Sequence, residues 1–184
     1  MDEKTRAIAV LSEGKIHIDL ASQPQAQSLV GRGFGEKSDG GKLELPSWEA
    51  LYLLREGMIE VQDEATGQKL DFNKLLEVFS EKDEAVWPKY LVYRDLRSRG
   101  YVVKPGFGGG LDFRVYERGA YGKQPSRFLV LTVSEGKPLP VGQLAKALET
   151  AQKAKKEVII AVVERRGEVV YYSLSSFTSA SQQP

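Results

Sequence analysis

The stretch VYERGAYGKQPSRFLV, Val115–Val130, ends one apolar run on a tyrosine and opens a second beyond a charged, glycine-containing loop. Tyr116 is a side chain that can move a proton. Just before the second run stands Pro125. Proline has no titratable group, and its ring removes even the backbone N–H. The stretch raises the question of whether it is an active site or the remains of one.

Bulk composition narrows the other options. The chain has 184 residues, enough for one generous core or two small ones. Lysine and arginine total 26 against 25 acids, a formal net charge of +1. Binding nucleic acid by bulk charge normally takes a large basic excess, so any such contact must be local. Cysteine is absent, which excludes disulfides, thiolate metal sites and thiol catalysis. The single histidine, His17, lies between Ile16 and Ile18 and excludes multi-histidine zinc sites. It reads as a strand residue facing solvent or a neighbour. The Gly31–Gly41 loop lacks the strand–loop–helix spacing and GK[ST] ending of a phosphate loop and reads as a flexible connector. No apolar run approaches the roughly 20 residues that span a bilayer. MDEKTRAIAV is too acidic for a secretory signal, so a cytoplasmic location with no membrane association is expected.

The elements that must position these residues follow from periodicity. Ala7–Leu11 and Lys15–Leu20 read as strands joined by a tight turn, and Leu43–Leu45 as another. LPSWEALYLLREG predicts a helix with Ser47 as N-cap, Glu49 in the first turn and Gly57 at the stop. A second helix is expected over about Asp71–Lys82. WPKYLVYRDLRSRGY predicts a helix carrying Lys89, Arg94, Arg97 and Arg99 and ending at Gly100. Strands follow at Tyr101–Lys104, Leu111–Tyr116 and Arg127–Val133, then a helix over Val141–Ala154. EVIIAVVE and EVVYYSL form two last strands around Arg165-Arg166-Gly167, and Ser175–Pro184 is expected to fray. The fold class is α/β (α+β), with residues 1–83 as a small mixed α/β domain. Residues 84–184 are expected as a mixed-sheet domain flanked by helices, restriction-endonuclease-like by the family resemblance that its motifs carry.

YLVYRDLRSRGYVVKPGFGGGLDFRVYERG resembles the catalytic domain of archaeal tRNA-splicing endonucleases. The resemblance runs on through RFLVLTV to AVVERRGEVVYYSL. It extends more weakly to the GFGE…LELPSWEALYLL element. It implies metal-independent RNA cleavage in which the 2′-hydroxyl attacks the scissile phosphate. The products are a 2′,3′-cyclic phosphate and a 5′-hydroxyl. It also implies that tyrosine, histidine and lysine share the work, with no metal or other cofactor. Carried over residue by residue, the tyrosine is Tyr116 and the lysine is Lys156, while Pro125 stands at the histidine. Glu149 stands where the family often has an arginine that clamps an intron base. Two departures in one constellation imply a vestigial site, and hence the structural subunit of an α2β2 heterotetramer. In that reading a catalytic partner chain cuts precursor tRNA at bulge–helix–bulge sites.

Candidate RNA contacts are Arg94, Arg97, Arg99 and Arg127, although basic residues late in a helix also favour its negative end and pair with Asp95. Candidate subunit contacts are Arg165 and Arg166 of the last turn and Val169, Val170, Tyr171, Tyr172 and Leu174 of the last strand. The family docks an acidic loop into a basic pocket, and two arginines in this loop point to the receiving role or to a solvated tip. Three other readings remain open. The chain could cleave with Tyr116, Lys156 and an acid from elsewhere. It could be a Mg²⁺-dependent PD-(D/E)xK nuclease, with Asp112 and Glu135 holding the ion and Lys137 positioning water. In that case GKPLP places the acid-x-lysine in a turn, beyond the strand. Or it could be a stand-alone RNA-binding scaffold.

Overall fold

The computed structural model describes residues 6–176, so the tail expected to fray lies outside the described residues from position 177 onward. The chain divides into two compact units, Met1–Lys104 and Pro105–Pro184.

The first unit is built on a six-stranded sheet. Strands β1 (Ala7–Ser12) and β2 (Lys15–Asp19) pair antiparallel across a tight turn. Their alternation puts Ala7, Ala9, Leu11, Ile16 and Ile18 in the core. A 3-10 turn at Pro24–Ala26 and a short α1 (Gln27–Gly31) lead to β3 (Glu36–Lys37) and β4 (Lys42–Leu45). Helix α2 (Ser47–Arg55) is followed by β5 (Ile59–Asp63), which pairs parallel with β1, then by β6 (Lys69–Leu70). The strand order is β3-β4-β2-β1-β5-β6. Helices α3 (Phe72–Ser80) and α4 (Val86–Ser98) complete the unit.

Two expectations are corrected here. Ser47 is the first helical residue rather than the cap. Pro46 takes the cap position at φ −57, and its carbonyl accepts the Glu49 and Ala50 N–H groups. The Gly31–Gly41 segment is no flexible connector either, because it carries β3 and buries Phe34 to 1% exposure. Strand β5 went unforeseen because IEVQD offers only two apolar alternations.

Glu49 is 2% exposed. One carboxylate oxygen accepts the Gly35 N–H at 2.6 Å, and the other accepts the Tyr93 hydroxyl at 2.5 Å. Lys104, itself buried, donates to the Gly35 carbonyl at 2.5 Å. Gly35 has φ +62, and a Cβ there would stand 2.5 Å from Leu43 Cδ1 and 2.9 Å from the Glu44 carbonyl oxygen. One carboxylate therefore joins α2, α4 and the glycine loop.

The second sheet has the order β11-β10-β9-β8-β7. It comprises β7 (Val102–Gly108), β8 (Leu111–Tyr116), β9 (Phe128–Ser134), β10 (Glu157–Val163) and β11 (Val169–Leu174). Strand β8 pairs antiparallel with β9, and β9 pairs parallel with β10 through helix α5 (Val141–Lys153). Parallel neighbours need such a crossover. Leu129, Val130 and Leu131 are all buried, as befits a central strand covered on both faces. Helix α5 lays Ala147 and Ala151 against Leu111, Leu129, Leu131 and Val158. Among the described residues, no helix is long and apolar enough to cross a membrane.

Burial raises the Glu49 carboxyl above its ordinary value, against the Tyr93 and Gly35 hydrogen bonds and the charges of Lys104 and Arg97. The native state then binds the proton more tightly than the unfolded chain does. That contribution to stability is complete below the unfolded carboxyl pKa and is lost as pH rises through the elevated native value. Urea unfolding across a pH series should show this decline in the wild type and a flatter profile in Glu49→Gln. Parallel profiles would refute the assignment.

Candidate functional site

The second sheet aligns the residues that matter. Pairing sets Val115, Phe128 and Glu157 abreast on β8, β9 and β10. One step outward come Tyr116, Arg127 and Lys156. Backbone hydrogen bonds continue the ladder to this row, from Arg127 N–H to the Val115 carbonyl (3.0 Å) and from Glu157 N–H to the Arg127 carbonyl (3.1 Å).

Tyr116 is half-buried at the end of β8, edge-on to Tyr121 at 5.1 Å between ring centroids. Lys156 sits just before β10, and its ammonium donates to the carbonyl oxygen of the buried Ser126. Its backbone is placed by the end of α5. Lys155 turns into the left-handed region at φ +54 and donates to Gln152, while Lys156 N–H reaches back to Ala151 at 2.9 Å. These two bonds form a Schellman motif, with lysine where glycine is usual. Pro125 is exposed in the loop between Tyr121 and Ser126.

Arg127 holds the row together electrostatically. Its Nη1 meets Glu117 at 2.5 Å and its Nε meets Glu157 at 2.8 Å. Glu157 first, then Glu117, push the guanidinium pKa further up, so it stays charged. Glu149 is exposed on α5 and bound to Lys153 at 2.6 Å, an attachment that lowers its carboxyl pKa.

The remaining candidates lie elsewhere. Arg94 is exposed, with its guanidinium 5.7 Å from the Tyr90 ring centroid. Arg97 lies 3.9 Å over the Phe34 ring and donates to the Arg32 carbonyl. Arg99 is held by Asp95 at 2.8 Å. His17 is half-buried on β2, on the face opposite Ile16 and Ile18, with Lys42 Nζ 3.2 Å from its Nε2. Arg165 and Arg166 are exposed in the β10–β11 turn, where Arg165 N–H donates to Glu135 at 3.0 Å. Strand β11 ends the sheet, with Val169, Val170, Tyr171 and Leu174 half-buried and Tyr172 55% exposed.

The acids of the metal-nuclease reading have other work. Asp112 accepts the Thr132 N–H at 2.8 Å, and Glu135 accepts that of Arg165. Among the described residues, no group of three or more His, Cys, Asp or Glu gathers that could hold a metal ion. Two features escaped sequence reading. Glu117 and Glu157 each follow a candidate residue directly, but nothing in sequence announces that one arginine joins them. Phe107, 51% exposed, lies against Arg114, and the only hint was an aromatic among glycines.

Two mixed α/β units, the second with Tyr116 and Lys156 at strand ends on either side of β9, define a two-domain α/β protein. Residues 7–76 match the family model for the tRNA intron endonuclease N-terminal domain, and residues 86–171 match that for its catalytic C-terminal domain. The chain is 39% identical over 148 residues to a tRNA-splicing endonuclease of Pyrococcus furiosus, covering 80% of this chain and 84% of that protein. A Thermococcus onnurineus tRNA-splicing endonuclease is 39% identical over 143 residues, covering 78% and 81%. That of Methanosarcina acetivorans is 38% identical over 167 residues, 90% of this chain, but the chain spans only 46% of its length. The chain belongs to the tRNA intron endonuclease family.

Lys155→Gly should relieve the left-handed strain and stabilise the chain by roughly 0.5–1 kcal/mol, the side-chain penalty less the glycine entropy cost. Urea denaturation measures this. An unchanged midpoint would show that no strain is held there.

Proposed function

We propose that this chain is the structural, non-cleaving subunit of a tRNA-splicing endonuclease. It holds catalytic partner chains, as α2β2 in the cytoplasm, at the separation set by the two cuts in a bulge–helix–bulge precursor tRNA. The observation that carries this reading is Pro125, exposed on the loop before β9 where the resemblance calls for an imidazole. Attack by the 2′-hydroxyl needs a base, charge neutralisation at the phosphate oxygens and a proton for the departing 5′-oxygen. Tyr116 and Lys156 suit the first two tasks. Nothing at Pro125 can supply the third, and a general acid contributes about 10²–10⁴-fold.

The same reading assigns the other surfaces. An edge strand with an exposed tyrosine suits pairing across a subunit boundary, which favours Val169–Leu174 as partner contact and Arg165 and Arg166 beside it. Arg94, Arg99 and Arg127 are the exposed candidates for RNA phosphates, whereas Arg97 is packed on Phe34. The functional boundary falls at residues 83/84, supported by the interval between the two family matches. The alignment of Tyr116 with Lys156 favours a second reading, a cleaving subunit that borrows its acid from a partner.

The test is incubation with bulge–helix–bulge RNA in chelator, alone and with the co-expressed partner. The structural reading expects cleavage only with both chains, undiminished by Tyr116→Phe in this one. Cleavage by the isolated chain would overturn it. Loss of the pair's cleavage on Tyr116→Phe would transfer the case to the borrowed-acid reading.

A further inference from the structure

From the geometry of the β7–β8 hairpin we infer that Phe107 and Arg114 form a stacking platform for one unpaired base of the RNA. The inference rests on the reading that this chain meets precursor tRNA. Phe107 is 51% exposed at the end of β7, in a segment whose tip, Gly108–Gly110, has three consecutive positive φ values and no side chains. The Arg114 guanidinium stands 5.5 Å from the ring centroid, so one side of the ring is engaged by a cation while about half the residue stays open. The bare glycine tip leaves the ring accessible. Gly106 makes the hairpin close. A Cβ there would lie 2.1 Å from the Leu111 carbonyl oxygen, so the two strands approach as only glycine allows.

Strand alternation settles the direction. Asp112, Arg114 and Tyr116 share one face of β8, while Leu111, Phe113 and Val115 are buried on the other. Arg114 therefore stands one same-face repeat from Tyr116, about 6.8 Å along the strand. A flat ring backed by a guanidinium suits a nucleobase of any identity, because every base has a π-face. A chain without a proton donor can still hold the strand by this contact, which uses no catalytic group.

The experiment measures fluorescence anisotropy of the full chain with labelled bulge–helix–bulge RNA in chelator. Phe107→Ala should weaken binding about tenfold, and Phe107→Trp should retain it. Replacing the bulge nucleotides one at a time by abasic residues should identify one position where wild-type binding falls equally. At that position Phe107→Ala should cost nothing more. An unchanged affinity in Phe107→Ala would overturn the platform. So would a loss that persists with every abasic RNA, the absence of RNA binding by the wild type, or a loss confined to association with the partner chain. Cleavage of the same RNA is scored separately. Scission by the isolated chain would sink the structural-subunit reading while leaving the base contact standing.

Discussion

The arrangement depends on three strand ends locked in register. The bonds from Arg127 N–H to Val115 and from Glu157 N–H to Arg127 put Tyr116, Arg127 and Lys156 in one row, although they come from distant parts of the chain. A slip of one residue would turn every side chain of a strand to the wrong face. Strand β9 resists that slip because Leu129, Val130 and Leu131 are buried on both faces. The backbone alone thus delivers the tyrosine and the lysine to their places. Their alignment follows from the fold and requires no catalytic use of either.

The first unit is organised by a buried charge in place of a backbone row. A carboxylate removed from water is costly unless hydrogen-bonded and paired, and Glu49 has the Gly35 N–H, the Tyr93 hydroxyl and two cations around it. Burial, and then the Glu49 charge, push the Tyr93 phenol well above its ordinary value, so it remains a donor. With Tyr93 turned inward, the rotation of α4 is fixed. Arg97 is laid on Phe34, Arg99 stays near Asp95, and Arg94 faces solvent. Three arginines that look equivalent in sequence are committed differently.

What could be read from sequence follows from how local each cause is. Strand β8 and helices α4 and α5 were legible because apolar spacing and element length agree there, with a glycine stop after α4. Strand β5 was not, because its place beside β1 is a long-range parallel pairing that leaves little trace in five residues. Glu49 read as a first-turn acid because its burial is created by Tyr93 and Gly35, both distant in sequence. Tyr116, Lys156 and Pro125 were found by resemblance to a family. The double pairing of Arg127 and the Phe107–Arg114 contact depend on side-chain meetings that no spacing encodes.

Electrostatics at the row bear on the proposed structural role. Arg127 supplies one positive charge to two carboxylates, Glu117 and Glu157, and Glu149 adds another acid on α5. A scissile phosphate approaching Tyr116 would compete with both carboxylates for that guanidinium, and the Lys156 ammonium is already spanned to the Ser126 carbonyl. On the proposed reading, cleavage is disfavoured on two counts, the proton and the charge. Stacking on Phe107 suffers from neither, since it draws on ring surface and the polarity of an adjacent cation. On the proposed reading, a subunit with Pro125 in place of an acid keeps a base contact at little cost, and that asymmetry suits a chain that positions RNA without cutting it.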